Sequence, residues 1–420
     1  MRNRFYSIWL ASSVVAVAVV GPDCPAEGLR NAPPGAYGLG RGGAKVAHVD
    51  DASAITINPA NLLDLKQPEL QIAPAFVYID RDVRTPDGRR ASTTEEFKVL
   101  GDLYYTRPAG EGPLAWGIGL TVPFGQSVVY ESDFDFRFLT PYFSELKLID
   151  VKPTVAYRVN DRIAIGGGLD LIYSELTFKQ HYPWATLTGR ATDPDGRMEF
   201  ESDGFALGFN LAANWDIADG HRLSLTYKPS FKVDYEGDFT ISNVPAEAAA
   251  LGATGRSDLE TEIEYPTIIV LGYGIEVTDT FRVEADIEWL EWSNFDELPL
   301  DVENNAILFP STVIPEDWED TITVGIGADW QWRPEWTLRG GYWFAETPIP
   351  ERTQQPNIPE SNLHLFSIGV ERTWNTHSVG LSWLGIAYED REIDNNLVDA
   401  FNGTYETSAH FVTLSYSRRF

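Results

Sequence analysis

The sequence predicts an all-β fold: a transmembrane antiparallel β-barrel of about fourteen strands, with an N-terminal hatch plugging the lumen. Three observations predict it. Apolar and polar residues alternate with a period of two, as side chains do along a strand. The alternating segments run well beyond the ~5–6 residues usual for strands. Short and long connections follow each other in turn, which is the habit of outer-membrane barrels.

The alternation is plain in 321–331, where Ile322, Val324, Ile326, Ala328 and Trp330 share one face and Thr321, Thr323, Gly325, Gly327, Asp329 and Gln331 the other. In 205–216, Phe205, Leu207, Phe209, Leu211, Ala213 and Trp215 oppose small or polar residues. In 281–289, Phe281, Val283, Ala285, Ile287 and Trp289 oppose Arg282, Glu284, Asp286 and Glu288. The strands are predicted at 68–80, 95–107, 114–123, 145–158, 162–178, 199–216, 221–241, 261–277, 280–292, 318–332, 335–346, 361–373, 377–390 and 406–420. Short turns fall near Asn160-Asp161, Asp219-Gly220, Thr278-Asp279, Arg333-Pro334 and Asn375-Thr376. Trp215, Trp330, Trp332, Trp336 and Trp374 lie beside such turns, where an interfacial girdle belongs. An even strand number puts both chain ends on the periplasmic side. The last strand ends at Phe420, with Tyr416, Leu414 and Val412 in phase and Arg418 interrupting the apolar face.

The N-terminus reads as a signal peptide, 1–26: Arg2 and Arg4, an apolar run from Ile8 to Val20, then Cys24-Pro25-Ala26 before a cut. Cleavage there leaves no cysteine, which removes disulfides, thiol catalysis and thiolate metal sites. No later stretch approaches the length of a membrane helix. Residues 27–67 are Gly-rich, lack strand alternation and are too short for an independent domain. A barrel of this size needs its lumen filled or left to conduct, so this segment is predicted to be the hatch, and 68–420 the barrel.

The net charge of −30 excludes nucleic acid as a partner, since that surface demands cations. Acidic loops fit either divalent cations beside anionic lipid or a salty habitat. The six histidines show no metal spacing, and no Gly-x-Ser-x-Gly elbow is present. No catalytic residue, metal or cofactor is therefore expected, and the chain is not expected to be an enzyme. The Gly-rich run at 38–43 is not followed by a helical pattern, which argues against phosphate binding.

Three motifs resemble the FadL/TodX family of outer-membrane transporters for hydrophobic compounds. The first is Gly38-Leu39-Gly40-Arg41-Gly42-Gly43-Ala44 with Asp50-Asp51-Ala52-Ser53-Ala54-Ile55 and Asn58-Pro59-Ala60, similar to the family's hatch. The second is Gly119-Leu120-Thr121-Val122-Pro123-Phe124-Gly125, similar to the end of its third strand. The third is Tyr235-Glu236-Gly237-Asp238-Phe239, similar to a mid-barrel signature. Asn61 stands where many members have Gly. The resemblance implies passive uptake of long-chain fatty acids or aromatic hydrocarbons through a hatch-gated barrel with lateral exit. An outer-membrane lipid-acting enzyme and a general porin are the alternatives. The partners implied are a hydrophobic ligand, outer-membrane lipid and lipopolysaccharide, and the barrel assembly machinery; the protein is expected to be a monomer.

The candidate site residues follow. Asn58, Pro59 and Ala60 suit the hatch, where Asn and Pro favour a turn. Pro123 and Gly125 suit the exit, because proline removes a ladder donor. Phe134, Phe136, Phe138, Leu139, Tyr142 and Phe143 crowd one long loop; they suit ligand capture if exposed, or a packed cap if not. Arg339, Lys228 and Lys232 are the candidates for a fatty-acid carboxylate, with ion pairing to lumenal acids such as Glu284, Asp286 or Glu288 as the competing fate.

Overall fold

The computed structural model describes residues 27–108, 112–305, 308 and 313–420. The expected signal peptide lies outside the described residues. Fourteen antiparallel strands form the wall: β1 Glu69–Arg84, β2 Phe97–Arg107, β3 Leu114–Thr121 with Gly125–Val129, β4 Phe143–Asn160, β5 Ile163–Tyr182, β6 Gly196–Ala218 and β7 His221–Lys228 with Phe231–Ile241. They continue as β8 Arg256–Tyr265 with Ile268–Thr278, β9 Phe281–Leu290, β10 Thr321–Arg333, β11 Trp336–Ala345, β12 Leu363–Trp374, β13 His377–Tyr388 and β14 Gly403–Arg419. β14 pairs with β1 from Arg419 opposite Glu69 to Thr404 opposite Arg84, which closes the ring. Closure pairs the first strand with the last, and an unpaired edge in hydrocarbon would strand backbone groups without partners.

The outward face is oily. Ile322, Val324 and Ile326 on β10 are 44%, 44% and 52% exposed, and Leu207, Phe209 and Leu211 on β6 form a matching row. The lumenal positions between them are polar and buried, among them Ser224, Thr226, Glu284, Asp286, Glu288 and Asp329. Further from the short turns the arrangement inverts. On β6, Arg197, Glu199, Glu201 and Asp203 face outward while Met198 and Phe200 turn inward. On β4, Glu145 and Lys147 are outward and Leu146 and Leu148 inward. The wall thus extends above the lipid belt as a water-facing collar with an apolar interior.

Two strands make the inversion with a break. β7 buries Ser224 and Thr226, then Val233 and Tyr235 after Pro229-Ser230. β8 buries Leu259 and Ile263, then Ile268 and Val270 after Pro266-Thr267. An odd offset flips every side chain to the other face.

Residues 27–66 run inside the ring. α1 (Gly35–Arg41) lies against β11, β12 and β13, and α2 (Ala54–Ile57) leads into a 3-10 turn, Pro59–Leu63, against β4 and β5. The first part of the glycine run, Gly38 to Arg41, is therefore helical, and Gly42-Gly43 turn out of the helix. Glycines in the wall permit this approach: a Cβ on Gly341 would stand 2.0 Å from the Arg41 carbonyl oxygen, and one on Gly166 2.6 Å from the Ala60 nitrogen.

Candidate functional site

The site is built on a break in β3. Leu114–Thr121 and Gly125–Val129 both pair with β4, but three residues, Val122, Pro123 and Phe124, oppose two. On the other side β3 pairs with β2 only from Arg107 up to Leu103. Above that, Phe97–Asp102 forms no ladder with β3, so β2 and β3 separate. Pro123 brings no N–H.

The backbone exposed by this separation is met from within. Asn31 N–H donates to the Pro123 carbonyl at 3.0 Å, and Gly125 N–H donates to the Leu29 carbonyl at 2.9 Å. The Asn31 side-chain amide donates to the Val122 carbonyl at 2.8 Å. Residues 29–31 act as a short inner strand, bridged to the wall at Arg30 and Phe124. Arg30 is tied at 2.8 Å to both Glu27 and Glu288.

Upstream, the segment is held by the external loops. Gly28 N–H donates to both oxygens of Glu360, at 2.9 and 3.0 Å. Gly28 has φ +63 and lies under Trp318 and Trp292, where a Cβ would be 2.6 Å from the Trp318 ring. Burial pushes the Glu360 carboxyl up to about 8, against the pull of the Gly28 N–H. Burial also pushes Glu316, which accepts from the Trp318 indole at 3.0 Å, up to about 8.

Downstream, three successive lumenal carboxylates of β9 hold residues 41–48. Asp286 accepts from Lys45 N–H at 2.7 Å and Val46 N–H at 3.1 Å. Glu284 accepts from Ala47 N–H at 2.5 Å, His48 N–H at 3.2 Å and the Arg41 guanidinium at 2.9 Å. Glu288 takes Lys45 and Arg30. Asn58 closes the far turn: its oxygen accepts from Ala60 N–H at 3.0 Å, and its amide donates to Val46 O at 2.6 Å and Asn214 at 2.8 Å.

A cavity of about 90 Å³ lies beside the seal, lined by Arg30, Asn31, Leu39, Asp102, Pro123, Phe124, Thr226 and Lys228. Phe124 reaches across to Tyr265 and Trp292, with ring centroids 4.9 and 6.2 Å away. The space is below the ~150 Å³ that admits a benzene ring. A long acyl chain needs the walls or the inner segment to move.

The predicted site residues distribute unevenly. Pro123, Gly125 and Lys228 converge on the break and the cavity, while Asn58, Pro59 and Ala60 sit on the inner segment against β5 and β6. Lys228 forms no ion pair with the described residues. Lys232 is a correction: the break at Pro229-Ser230 flips it outward, where it pairs with Glu262 at 2.8 Å. Arg339 is another: it lies beneath α1, 2.7 Å from Glu371 and 3.2 Å from Asp329, so its charge is already met.

The aromatic loop corrects the expected exposure. Phe134 and Phe136 are 8% and 0% exposed in a loop core with Val83, Tyr130, Phe401 and Tyr405. Phe138 meets the His181 ring edge-on and Tyr142 lies tilted against it. Phe143 sits beside the Lys179 ammonium and Leu139 alone of the six is openly exposed, at 45%. Sequence reasoning missed residues 28–31 as the seal, Glu360 as its clamp and the carboxylates of β9 as anchors. The alternation marked Glu284, Asp286 and Glu288 as lumenal, but not what they hold.

Comparison with known proteins then decides the family. The family described as outer membrane protein transport protein (OMPP1/FadL/TodX) matches residues 17–420. The chain belongs to that family. This FadL/TodX chain is accordingly an outer-membrane protein. It is 22% identical over 408 residues to the long-chain fatty acid transport protein of Escherichia coli O6:H1 (strain CFT073), covering 88% of this chain and 89% of the relative. Its fold is similar to the crystal structure of a Pseudomonas aeruginosa FadL homologue, with TM-score 0.83, 19% identity and coverage of 94% and 100%. It is also similar to the Ralstonia pickettii toluene transporter TbuX, with TM-score 0.71, 18% identity and coverage of 93% and 99%.

Proposed function

We propose that this protein carries hydrophobic compounds, long-chain fatty acids in particular, passively across the outer membrane, and is not an enzyme. The observation that carries the reading is the seal at β3. A wall strand is interrupted at Pro123, the gap is closed from inside by residues 29–31, and a cavity opens on the same residues. A ligand settling in that cavity touches Arg30, Asn31 and Phe124, and so competes with the contacts that close the wall. Residues 27–67 are then the hatch, and Pro123 and Gly125 the lateral exit.

The physical task matches the architecture. An apolar molecule gains little from a water-filled pore. It gains about 0.8 kcal/mol for every CH₂ moved out of water into an apolar path. Lys228, facing the cavity with no ion pair among the described residues, favours a carboxylate-bearing ligand over a bare hydrocarbon. The relatives divide along the same line, one named for long-chain fatty acids and another for toluene.

Uptake of labelled oleate and of toluene by a deletion strain, with and without the gene, tests the reading. Oleate uptake should return with the gene. Equal uptake of both compounds in both strains sinks transport. Restored toluene uptake with unchanged oleate would move the substrate to aromatic hydrocarbons.

A further inference from the structure

The wall separates at a second place, between β6 and β7. Their ladder climbs from the turn to Leu211 opposite Tyr227 and resumes only at Asp203 opposite Glu236. Between these points, residues 204–210 and 228–235 form no backbone pair with each other. At the top the strands touch again, since a Cβ on Gly204 would stand 2.2 Å from the Asp234 carbonyl oxygen. The separation therefore runs from Phe205 down to Asn210. At Pro229-Ser230, β7 leaves the β8 ladder too, where Ser230 N–H donates to Thr267 Oγ1 at 3.1 Å.

Along the outward side of the gap Phe205 and Leu207 are 74% and 68% exposed and Phe209 43%. The gap occupies the upper part of the lipid belt, just below Glu201 and Asp203, where the outward face turns from charged to oily. Outside, an apolar groove containing Phe209, Leu211 and Tyr227 leads to it. Inside, Thr226 and Lys228 line the cavity.

The two gaps differ in what backs them. Residues 29–31 hydrogen-bond across the break at β3. Among the described residues, no residue of 27–66 hydrogen-bonds to 204–210 or to 228–232. Backbone without ladder partners is costly in hydrocarbon. The β6–β7 gap faces lipid on one side and is closed on the other by side chains alone, Ala206 and Phe231 packing against the interior cluster and Phe231 stacking on Tyr265 at 4.7 Å.

We propose that the β6–β7 gap is a second lateral port, an inlet by which apolar molecules dissolved in the outer leaflet reach the cavity without passing the external loops. The proposal rests on the transport reading for its direction, though not for its existence. Membrane-dissolved amphiphiles with one anionic head group are the ligand class, because Lys228 stands at the inner rim. The gated break at β3 remains the way out.

Photolabelling tests the port without requiring transport. The full mature chain is placed in phosphatidylcholine vesicles containing a diazirine-bearing palmitate, irradiated, and its adducts mapped. Adducts at Ala206 and Ser230, which flank the gap and do not line the cavity, are expected besides those on the outward face. Adducts confined to outward positions such as Ile322, Val324 and Leu207 overturn the port. A second measurement uses Ser230→Cys in a Cys24→Ser background, with Val324→Cys as the control. Cells are treated with a membrane-soluble dodecyl thiosulfonate and modification is confirmed by mass. Oleate uptake should fall for Ser230→Cys alone, and recover on reduction. Failure of the reagent to reach Cys at 230, or unchanged uptake after modification, also overturns the port. A chain that labels at Ala206 and Ser230 but never takes up oleate keeps the port and loses the transport reading.

Discussion

At the scale of single residues, what counts is whether a charge already has its partner. Arg339 and Lys228 both face inward, but Arg339 is met by Glu371 and Asp329 while Lys228 has no ion pair among the described residues. Replacing Lys228 by Met should weaken oleate uptake by a factor of about ten, the scale of one charge-assisted hydrogen bond, ~1.5 kcal/mol. Toluene, which offers no carboxylate, should be unaffected; competition assays with both compounds measure the difference, and equal losses would remove Lys228 from ligand recognition. Glu360 gives a prediction of a different kind. Burial raises its carboxyl to about 8, with Glu27 adding to the rise and Arg391 and Arg81 opposing it. A raised carboxyl binds its proton more tightly in the folded loop than in the unfolded chain. Its contribution is therefore complete below about pH 4.5 and is lost as pH climbs through about 8. Hydrogen exchange at the Gly28 amide should quicken between pH 5 and 9 beyond the intrinsic rise, and Glu360→Gln should flatten the excess. An identical excess in the Gln variant would assign it elsewhere.

At the scale of elements, the inner segment is held chiefly by side chains of one wall strand. Glu284 and Asp286 of β9 together accept four backbone N–H groups, those of residues 45–48. Each buried donor left without a partner costs about 1–3 kcal/mol. A Glu284→Ala, Asp286→Ala double variant should therefore release residues 41–48 while the β9 ladders to β8 and β10 stay intact. Proteolysis inside 41–48 should appear in the purified variant, with barrel mobility on unheated gels unchanged. Resistance equal to the parent would mean that the glycine-lined packing of α1 holds the segment by itself. The wall was legible in advance because period-two alternation is written residue by residue: the strand expected at 199–216 is Gly196–Ala218, and that expected at 377–390 is His377–Tyr388. The breaks in β7 and β8 were not read, although Pro229 and Pro266 mark them. A single proline in an alternating run does not reveal that two neighbouring strands invert together. The site was half legible. Pro123 announces itself by chemistry, but Leu29–Asn31 seal the gap with backbone groups that any sequence possesses. Phe134 and Phe136 read as an open patch because local sequence does not contain Val83, Phe401 or Tyr405, the residues that cover them.

At the scale of the whole molecule, two inversions of polarity explain the architecture. Within the membrane the ring is oily outside and polar inside, so an empty lumen would fill with water and conduct. Above the membrane it is polar outside and oily inside, and the external loops pack that oily interior shut. The inner segment reconciles the two by filling the polar lumen and leaving the cavity at its upper margin. Removing it separates the roles. Deletion of residues 27–61 leaves the strand-to-strand ladders in place, removes the seal at the β3 break, and exposes Glu284, Asp286, Glu288 and Asp329 to the lumen. Arg30, Arg41 and Lys45, which neutralise them, leave with the segment. Pores ringed by carboxylates select cations. The deletion variant should therefore show steady, cation-selective conductance in planar bilayers, against little or none for the intact chain, and the selectivity should weaken as salt screens the charges. A deletion variant that conducts no better than the intact protein would mean that other loops occlude the lumen. One that prefers anions would mean that the lumenal acids do not set its field.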